Sequence, residues 1–548
     1  METFDIDYSM KNIPLPSKEE YIIQLISKTE HLIKRMRWKV LEFMGKLEGP
    51  TKNTYGFKSR KCPPTIKELA KFESDMMYMI KNVEFRKIDS EFLNKIKNDI
   101  EEIKSDKRLF VSADKSRNIY KIAKEDYNKL IKENITKTYK KSHQNKLNNI
   151  NKDTKKLVTK LEIADRIEKM QENNAYITIK DHKETFPNKI PCRLINPAKS
   201  DIGKISKSIL DRINRILLTE TNVNQWKNTD SVIKWFQEIS EKKSCSFIVF
   251  DIESFYPSIS ETLFNNAINF AKMYTQVTAE DLQIILQARK TLLFYETNTW
   301  VKKSGNEDFD VPMGCFDGAE ICELVGIFLL TKLKDIVNID DIGLYRDDGL
   351  GVLKNLSGPM IDRKRKDIIK LFKEHGLSIT IETNIKIVNY LDIQMNLNDN
   401  TYKPFRKANN PPLYIHKESN HPSSIIKKLP ESISKRVSEI SSNEAVFNNA
   451  KNIYNTALKS SGFNETLSYT PSTENNREKS HNRKRKIIWY NPPFSKNVKT
   501  NIGKMFFKLI KKHFPKENPL SKIFNKNTLK LSYSCMKNMS SIISSHNK

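Results

Sequence analysis

Residues 246–256 read SFIVFDIESFY, and residues 342–353 read IGLYRDDGLGVL. The first stretch is an apolar strand pattern that closes on Asp251, and the second is two apolar runs joined by a polar tip, as in a β-hairpin. The tip carries Asp347 and Asp348, whose mutual repulsion a bound divalent cation would relieve. If the strands lie side by side, Asp251 and Asp347 come within bridging distance of two such cations, an arrangement that catalyses phosphoryl displacement. The alternative interpretation is an ordinary solvated Asp-Asp-Gly turn.

The segments that follow these stretches predict an α+β fold. Residues 318–337 have the composition of a long, mostly buried helix, and residues 363–376 show a helical pattern that ends at Gly376. Strand patterns follow at 377–382 and 388–397. The order strand, helix, long helix, hairpin, helix, strand is typical of a split βαβ sheet with helices packed on one face.

Composition limits the classes of partner. The chain has 548 residues with 95 Lys and Arg against 66 Asp and Glu, a formal net charge of +29. A surplus of this size favours nucleic acid as a partner, and the alternative explanation is the Lys-rich composition of a biased genome. The six cysteines form no Cys-x-x-Cys pair, which disfavours a structural zinc site. The first residues do not resemble a signal peptide, and no run of about 18 apolar residues occurs, so we expect an intracellular protein with no membrane partner.

Several stretches together resemble the reverse transcriptases of Penelope-like retroelements, a lineage related to telomerase reverse transcriptases. FDIESFYPSI (250–259) resembles polymerase motif A, VPMGCFDGAE (311–320) motif B and YRDD (345–348) motif C. Four further stretches resemble the upstream motif, the fingers motif, the primer-grip strand and the segment after it: ADKSRNIYKIAKEDYNKLI (113–131), KDHKETFPNKIPCRLI (180–195), NYLDIQM (389–395) and YKPFRKANNPPLYIHKESNHP (402–422).

The resemblance implies an RNA-directed DNA polymerase, a nucleotidyltransferase of a retrotransposon, with a right-hand fold. The expected parts are a helical N-terminal region (1–110), the fingers with upstream motifs (111–240), a ferredoxin-like palm (241–400), a helical thumb (401–465), a linker (466–486) and a basic C-terminal connector (487–548). The expected partners are an RNA template, a DNA primer, target DNA and dNTPs, and the expected cofactor is a pair of Mg²⁺ ions, with Mn²⁺ as an alternative. A nuclear location is expected, and the RKRK run at 483–486 is either a nuclear signal or a solvated charge run.

Residue roles follow from the same resemblance. Asp251, Asp347 and Asp348 become the catalytic, metal-binding carboxylates. The remaining candidates are nucleotide-binding residues. Tyr256 is either the aromatic residue beneath the incoming sugar or a core-packing residue, and Lys183 and Arg193 are either a triphosphate clamp or plain surface cations. Gly314 would let the backbone approach the template or the incoming base closely, and Lys386 would be the general acid for pyrophosphate.

Two places depart from the pattern of the family. After Gly314 the family has small residues and proline, whereas this chain has Asp317 and Glu320, which would put negative charge near the template path. Arg346 replaces the more usual apolar residue of motif C. This cation either offsets the repulsion between the carboxylates or contacts a primer phosphate, and the sequence leaves both interpretations open.

Relatives in this lineage often carry a GIY-YIG nuclease after the thumb, and its paired motif does not occur in this sequence. We therefore expect a chain that extends a supplied primer and does not nick supercoiled DNA. The connector, without that neighbour, is expected to pack loosely or to bind nucleic acid through its lysines. The rival interpretations are a catalytically decayed, nucleic-acid-binding protein and an RNA-templated RNA polymerase, which Tyr256 disfavours by clashing with a ribose 2′-hydroxyl.

Overall fold

The computed structural model describes residues 1–46, 61–143, 145–167, 172–197, 199–407, 410–471 and 487–547. The protein is an α+β molecule with a mostly antiparallel palm sheet that packs against helices, and helical regions lie before and after it in the chain. The predicted fold class is confirmed. No helix in these ranges has both the length and the apolar character that a membrane crossing requires.

The N-terminal region and the start of the fingers are mostly helical, as the sequence predicts. The elements up to residue 160 are β1 (Glu2–Thr3), α1 (Lys18–Phe43), α2 (Ala70–Lys81), α3 (Glu91–Ser105), β2 (Leu109–Ser112), β3 (Ile119–Ile122), α4 (Lys124–Thr138), β4 (Tyr139–Lys141) and α5 (Lys146–Lys160). Helix α1 begins at a capping box, because Ser17 Oγ accepts a hydrogen bond from the Glu20 amide (3.1 Å) and Glu20 Oε2 accepts one from the Ser17 amide (3.2 Å). Strands β1, β3 and β2 form a small antiparallel sheet.

The rest of the fingers contains an antiparallel hairpin and two helices. Its elements are β5 (Tyr176–Ile179), β6 (Cys192–Ile195), α6 (Asp201–Thr221), β7 (Asn224–Gln225) and α7 (Thr229–Glu238). Thr178 pairs with Arg193 across β5 and β6, so the loop between the strands carries Lys183 out from one end of the hairpin. An isolated parallel bridge joins Ala113 to Ile179 and ties this hairpin to the chain after β2.

The palm supplies the main sheet. Its elements are β8 (Cys245–Ile252), α8 (Phe255–Ser258), α9 (Glu261–Lys272), α10 (Ala279–Arg289), β9 (Leu293–Tyr295), β10 (Asn298–Lys302), α11 (Gly318–Leu333), β11 (Ile342–Tyr345), β12 (Asp348–Lys354), α12 (Gly358–Glu374) and β13 (Ile379–Ile385). The strand order is β13-β8-β12-β11-β7. Without the short edge strand β7, this is the antiparallel order of a ferredoxin-like βαββαβ unit. Strands β9 and β10 leave the palm and form an antiparallel pair, and β10 also pairs with β4.

Both faces of the palm sheet are covered by apolar side chains. On one face, α9, α11 and α12 bury a large cluster in which the ring of Phe250 packs on Phe372 with centroids 5.4 Å apart. On the other face, α7 packs with β14 (Ile387–Tyr390), β15 (Ile393–Asn396) and β16 (Thr401–Pro404). Burial on both faces holds the strand ends rigidly, and those ends carry the candidate site.

The thumb consists of α13 (Ser423–Glu439) and α14 (Glu444–Ser460), which share a core that contains Val437 and Phe447. Leu467 is buried in the same core, so the packed part of the thumb continues past the start of the predicted linker at 466. Most of that linker, including the RKRK run at 483–486, lies outside the described residues.

The C-terminal connector folds back onto the N-terminal region. Its elements are β17 (Ile488–Tyr490), α15 (Ile502–His513), β18 (Leu529–Leu531) and α16 (Met539–His546). Tyr490 and Phe506 are fully buried in one cluster with residues of α1 and α2. The expectation of loose packing is therefore wrong, because these apolar faces are covered by N-terminal helices. Nucleic-acid binding through the lysines of the connector stays a prediction.

Candidate active site

The pairing of β8 with β12 brings the three predicted carboxylates together. Asp251 is the direct cross-strand partner of Asp348, and the Ile252 amide donates a hydrogen bond to the carbonyl oxygen of Asp347 (2.9 Å). Tyr345 pairs with Asp348, so Arg346 and Asp347 form a two-residue hairpin loop. Arg346 has a φ of 57°, a left-handed conformation that non-glycine residues adopt mainly in tight turns.

The backbone beside the carboxylates is fixed by close packing. A Cβ atom at Gly349 would lie 2.1 Å from Cζ of Phe250, so only glycine lets β12 lie against this buried ring. The hydroxyl of Tyr390 donates a hydrogen bond to the carbonyl oxygen of Asp348 (2.7 Å). Asp348 is therefore held from the sheet side by Phe250 packing and from the neighbouring β14 by a hydrogen bond.

The carboxylates repel one another and are partly desolvated. Burial, followed by the charges of Asp347 and Asp251, raises the pKa of Asp348 to about 6. Asp251 keeps an exposed surface, but the surrounding protein removes part of its hydration, and this desolvation together with the charge of Asp347 raises its pKa above the usual value. Such a cluster is destabilised by its own negative charge until cations approach it.

The three carboxylates suit divalent cations that are bound partly by the protein and partly by the substrate. Within the described ranges, no three His, Cys, Asp or Glu side chains are gathered closely enough to cage a metal ion unaided. Mg²⁺, however, is usually held by one or two carboxylates together with waters and substrate phosphates. Three carboxylates gathered at one end of the palm sheet supply such oxygen donors, so Asp251, Asp347 and Asp348 fit a Mg²⁺ or Mn²⁺ site.

The raised pKa of Asp348 predicts how stability depends on pH. Because its pKa is higher in the folded protein than in the unfolded chain, stability is lost as the pH rises from about 4 to about 6. Asp348→Asn removes this loss. In EDTA, the Tm of the variant relative to the wild type should therefore be higher at about pH 7.5 than at about pH 4.5. Asp335→Asn, an exposed change of the same type after α11, should show no such difference; an equal Tm difference for Asp348→Asn at both pH values would contradict the prediction.

Tyr256 lies between the carboxylates and the start of α11. Its ring carbons would be 3.3 and 3.4 Å from a Cβ atom at Gly318, so the ring covers the first residue of that helix. Burial raises the pKa of Tyr256 to about 12, and the charge of Arg346 acts on its hydroxyl in the opposite direction. The guanidinium of Arg346 lies 5.8 Å from the ring centroid of Tyr345. Tyr256 is thus partly buried in the palm core and still borders the cleft.

The fingers hairpin carries the two predicted cations Arg193 and Lys183, and of these Lys183 acts on the carboxylates. Arg193 Nη2 lies 3.3 Å from Asp114 Oδ2, and this ion pair orients the guanidinium. Lys183 is exposed on the hairpin loop, and its positive charge offsets part of the rise in the pKa of Asp251. Lys115 acts on both Asp251 and Asp348 in the same way.

Lys115 and Lys407 are two cations near the carboxylates that the sequence analysis does not predict. The charge of Lys407, like that of Lys115, lowers the pKa of Asp348. Both lysines lie in stretches that carry the resemblance, 113–131 and 402–422, and that was the only available signal.

The motif B segment is arranged differently from the expectation. Gly314 has a φ of 120°, and a Cβ atom there would lie 2.4 Å from the carbonyl oxygen of Asn196. Glycine is therefore required here because the backbone of Asn196 approaches it closely, and this contact lies within the protein. A role of Gly314 in nucleotide binding stays a prediction.

The two acidic residues of motif B do not face a template path unpaired. Asp317 is fully buried, forms an ion pair with the fully buried Arg289 and accepts a hydrogen bond from Ser206 Oγ. Glu320 pairs with Lys207. The expectation of free negative charge on this loop is therefore wrong, because both carboxylates are neutralised inside the protein.

The prediction that Lys386 acts on the nucleotide is wrong. Its Nζ donates hydrogen bonds to the carbonyl oxygens of Lys243 (2.8 Å) and Cys245 (2.5 Å). Cys245 begins β8 and Asp251 stands near its end. Six residues of extended strand span roughly 20 Å, so Lys386 binds the opposite end of the sheet from the carboxylates.

No protein-family model matches the chain, and no curated protein matches it. Among solved structures, it is similar to telomerase from Candida albicans in complex with a TWJ fragment of telomeric RNA, at 10% identity and a TM-score of 0.45, over 79% of this chain and 83% of that one. It is also similar to apo telomerase from Candida tropicalis (12% identity, TM-score 0.39, 81% and 85% covered) and to the RNA-dependent RNA polymerase of a human picorbirnavirus (10%, 0.33, 60% and 70%). What the site can do chemically therefore has to follow from its own carboxylates and cations.

Proposed function

We propose that this protein is an RNA-directed DNA polymerase of a Penelope-like retroelement, which extends a DNA 3′-hydroxyl on an RNA template. The observation that carries the proposal is the pairing of β8 with β12, which sets Asp251 opposite Asp348 and places Asp347 beside both, facing a group of cations. The motif resemblance supports the finer assignment to the lineage, to dNTPs and to a DNA primer and target. A chromosomal target would make the nucleus the place of action.

The proposed reaction is nucleotidyl transfer. Two Mg²⁺ or Mn²⁺ ions bound by Asp251, Asp347 and Asp348 would supply charge stabilisation for the attacking and leaving oxygens. The carboxylates fix the place of the reaction at the end of β8, where the primer 3′-oxygen would attack the α-phosphorus and release pyrophosphate. Arg193, oriented by Asp114, and Lys183 would neutralise triphosphate charge from the fingers side. The net charge of +29 would hold the RNA–DNA hybrid, with an affinity that falls steeply as salt rises.

Primer extension tests the proposal directly. A labelled DNA primer annealed to RNA, and the same primer annealed to DNA, are incubated with dNTPs or NTPs in Mg²⁺ or in EDTA. We expect extension on the RNA template with dNTPs in Mg²⁺ and none in EDTA. Salt-sensitive binding of the hybrid without any extension would instead support the decayed, nucleic-acid-binding protein. Extension with NTPs in preference to dNTPs would support an RNA polymerase.

Tyr256 should exclude ribonucleotides. Its ring is held against Gly318 at the border of the cleft, where an incoming sugar would pass. Tyr256→Val removes the ring and should raise the use of NTPs relative to dNTPs by about tenfold or more, since one steric contact is worth on the order of 1–3 kcal/mol in discrimination. The ratio of kcat/KM for NTP and dNTP on one primed RNA measures this effect.

Tyr274→Val is the matched control. Tyr274 is partly exposed after α9 and packs on Phe270 with ring centroids 5.1 Å apart. This variant should keep the wild-type ratio. If Tyr256→Val also keeps it while its Tm falls, Tyr256 is a core-packing residue and the sugar-discriminating role is wrong.

A further inference from the structure

Lys115 and Lys407 come from distant parts of the chain and lie in loops that touch. Lys115 follows β2 in the fingers, and Lys407 follows β16 on the way to the thumb. Asn410 Nδ2 donates a hydrogen bond to the carbonyl oxygen of Lys115 (3.2 Å). Arg406 Nε and Nη2 both donate to the carbonyl oxygen of Asn410 (3.1 and 3.0 Å), which ties Arg406, the chain neighbour of Lys407, to Asn410.

The fingers loop that bears Lys115 is fixed beside the loop that bears Lys183. The Asp114 amide donates a hydrogen bond to the carbonyl oxygen of Ile179 (2.7 Å), at the end of β5. Asp181 Oδ2 accepts hydrogen bonds from the Ser116, Asn118 and Tyr120 side chains at 2.5, 2.8 and 3.0 Å: a carboxylate of one loop thus holds the other. Lys115 and Lys183 both act electrostatically on Asp251, and Lys115 and Lys407 both act on Asp348, so all three lysines lie near the carboxylates of the palm.

The cations of this group repel one another. Desolvation, followed by repulsion from Lys115, lowers the pKa of Lys407, and desolvation followed by repulsion from Arg193 lowers the pKa of Lys180. Among the described residues around them, Asp114 pairs with Arg193, and Asp181 is already engaged by three side-chain donors. Asp348 and Asp114 are the anions that act on Lys407, and cations that repel one another beside the palm favour an additional anionic ligand.

We propose that Lys115 and Lys407 form a clamp for the β- and γ-phosphates of the incoming nucleotide, built jointly by the fingers and the connection from palm to thumb. The inference rests on the proposed function, because it assigns the part of the same site that receives the polyphosphate. When the α-phosphate lies at the carboxylates, the remaining phosphates must leave the palm toward the opposing cations. A point-charge ammonium from each loop can then pair with them, and the ligand ties the thumb connection to the fingers.

Kinetics on a primed RNA template test the clamp. Lys115→Gln and Lys407→Gln should each raise the KM for dNTP by about tenfold or more, because each removes a charge-assisted hydrogen bond to the polyphosphate. The Kd for the primed template should stay within about threefold of the wild-type value, because one charge among many contributes little to hybrid binding. Lys407→Arg should recover most of the affinity. Lys403→Gln, the same change on exposed β16, should leave KM unchanged.

A binding measurement separates failure of the clamp from failure of the proposed function. Inorganic tripolyphosphate, without divalent cations and at low salt, should raise the Tm of the wild type and of Lys403→Gln but not that of the double variant Lys115→Gln with Lys407→Gln. This outcome supports the clamp even if no template is extended. The proposal is overturned if tripolyphosphate does not stabilise the wild type or stabilises the double variant equally. It is also overturned if KM stays unchanged while the unliganded Tm falls, since the lysines would then only neutralise the carboxylates.

Discussion

Asp251→Asn and Asp347→Asn are each expected to lower primer extension by about a thousandfold or more. Asp251 ends an apolar strand beside Asp348, and Asp347 stands at the tip of the adjoining hairpin. An amide keeps the shape of the side chain and loses the charge that binds a divalent cation. Metal ions supply several kcal/mol of transition-state stabilisation, and each 1.36 kcal/mol is a factor of about ten in rate. Single-turnover extension of a primed RNA in Mg²⁺ measures the loss.

Two controls separate loss of the metal from loss of the fold. Asp335→Asn makes the same chemical change on an exposed residue after α11 and should extend the primer at the wild-type rate. Binding of the hybrid by Asp251→Asn in EDTA should match that of the wild type, because the basic side chains that hold the phosphates remain. Near-wild-type extension by Asp251→Asn or by Asp347→Asn would sink the assignment of these carboxylates.

The palm could be predicted from sequence because its signals are local. The strand pattern that ends at Asp251, the hairpin 342–353 and the helix ended by Gly376 each depend on a few neighbouring residues, and their order fixes a ferredoxin-like sheet. The sequence predicts that Asp251 and Asp347 come close together, and the structure adds the register, in which Asp348 is the direct cross-strand partner of Asp251.

Other features depended on contacts between distant segments. Lys386 lies in the strand region where the resemblance implies a general-acid lysine, but its side chain binds carbonyl oxygens at the far end of β8. The spacing of residues does not indicate which end of a strand a lysine side chain will reach. Lys115 and Lys407 meet only because two loops touch. The sequence of the connector does not predict that α1 and α2 cover its apolar face. An amphipathic helix indicates that some apolar surface packs against it, but not which one.

The acidic residue Asp317, at which motif B departs from the family pattern, forms a buried ion pair whose loss should lower the stability of the protein. Asp317 and Arg289 are both fully buried, and Arg289 also donates a hydrogen bond to the carbonyl oxygen of Asp310 (3.3 Å). Asp317→Asn leaves the guanidinium buried without its counter-charge, and breaking one partner of such a pair costs about 3–5 kcal/mol of stability. For a cooperative unit of the size of the palm, that corresponds to a fall in Tm of roughly 6–20 °C.

Glu320→Gln is the matched control, on the same helix and with the same loss of charge. Its partner Lys207 is substantially solvent-exposed, so removal of this pair should cost only about 1 kcal/mol. The double variant Arg289→Met with Asp317→Asn removes both buried charges and should recover most of the Tm lost by Asp317→Asn alone, because an uncharged pair needs no compensation. If Asp317→Asn instead keeps the wild-type Tm but loses template binding, the carboxylate faces nucleic acid. Negative charge near the template path, as the sequence predicts, would then be the role of this residue.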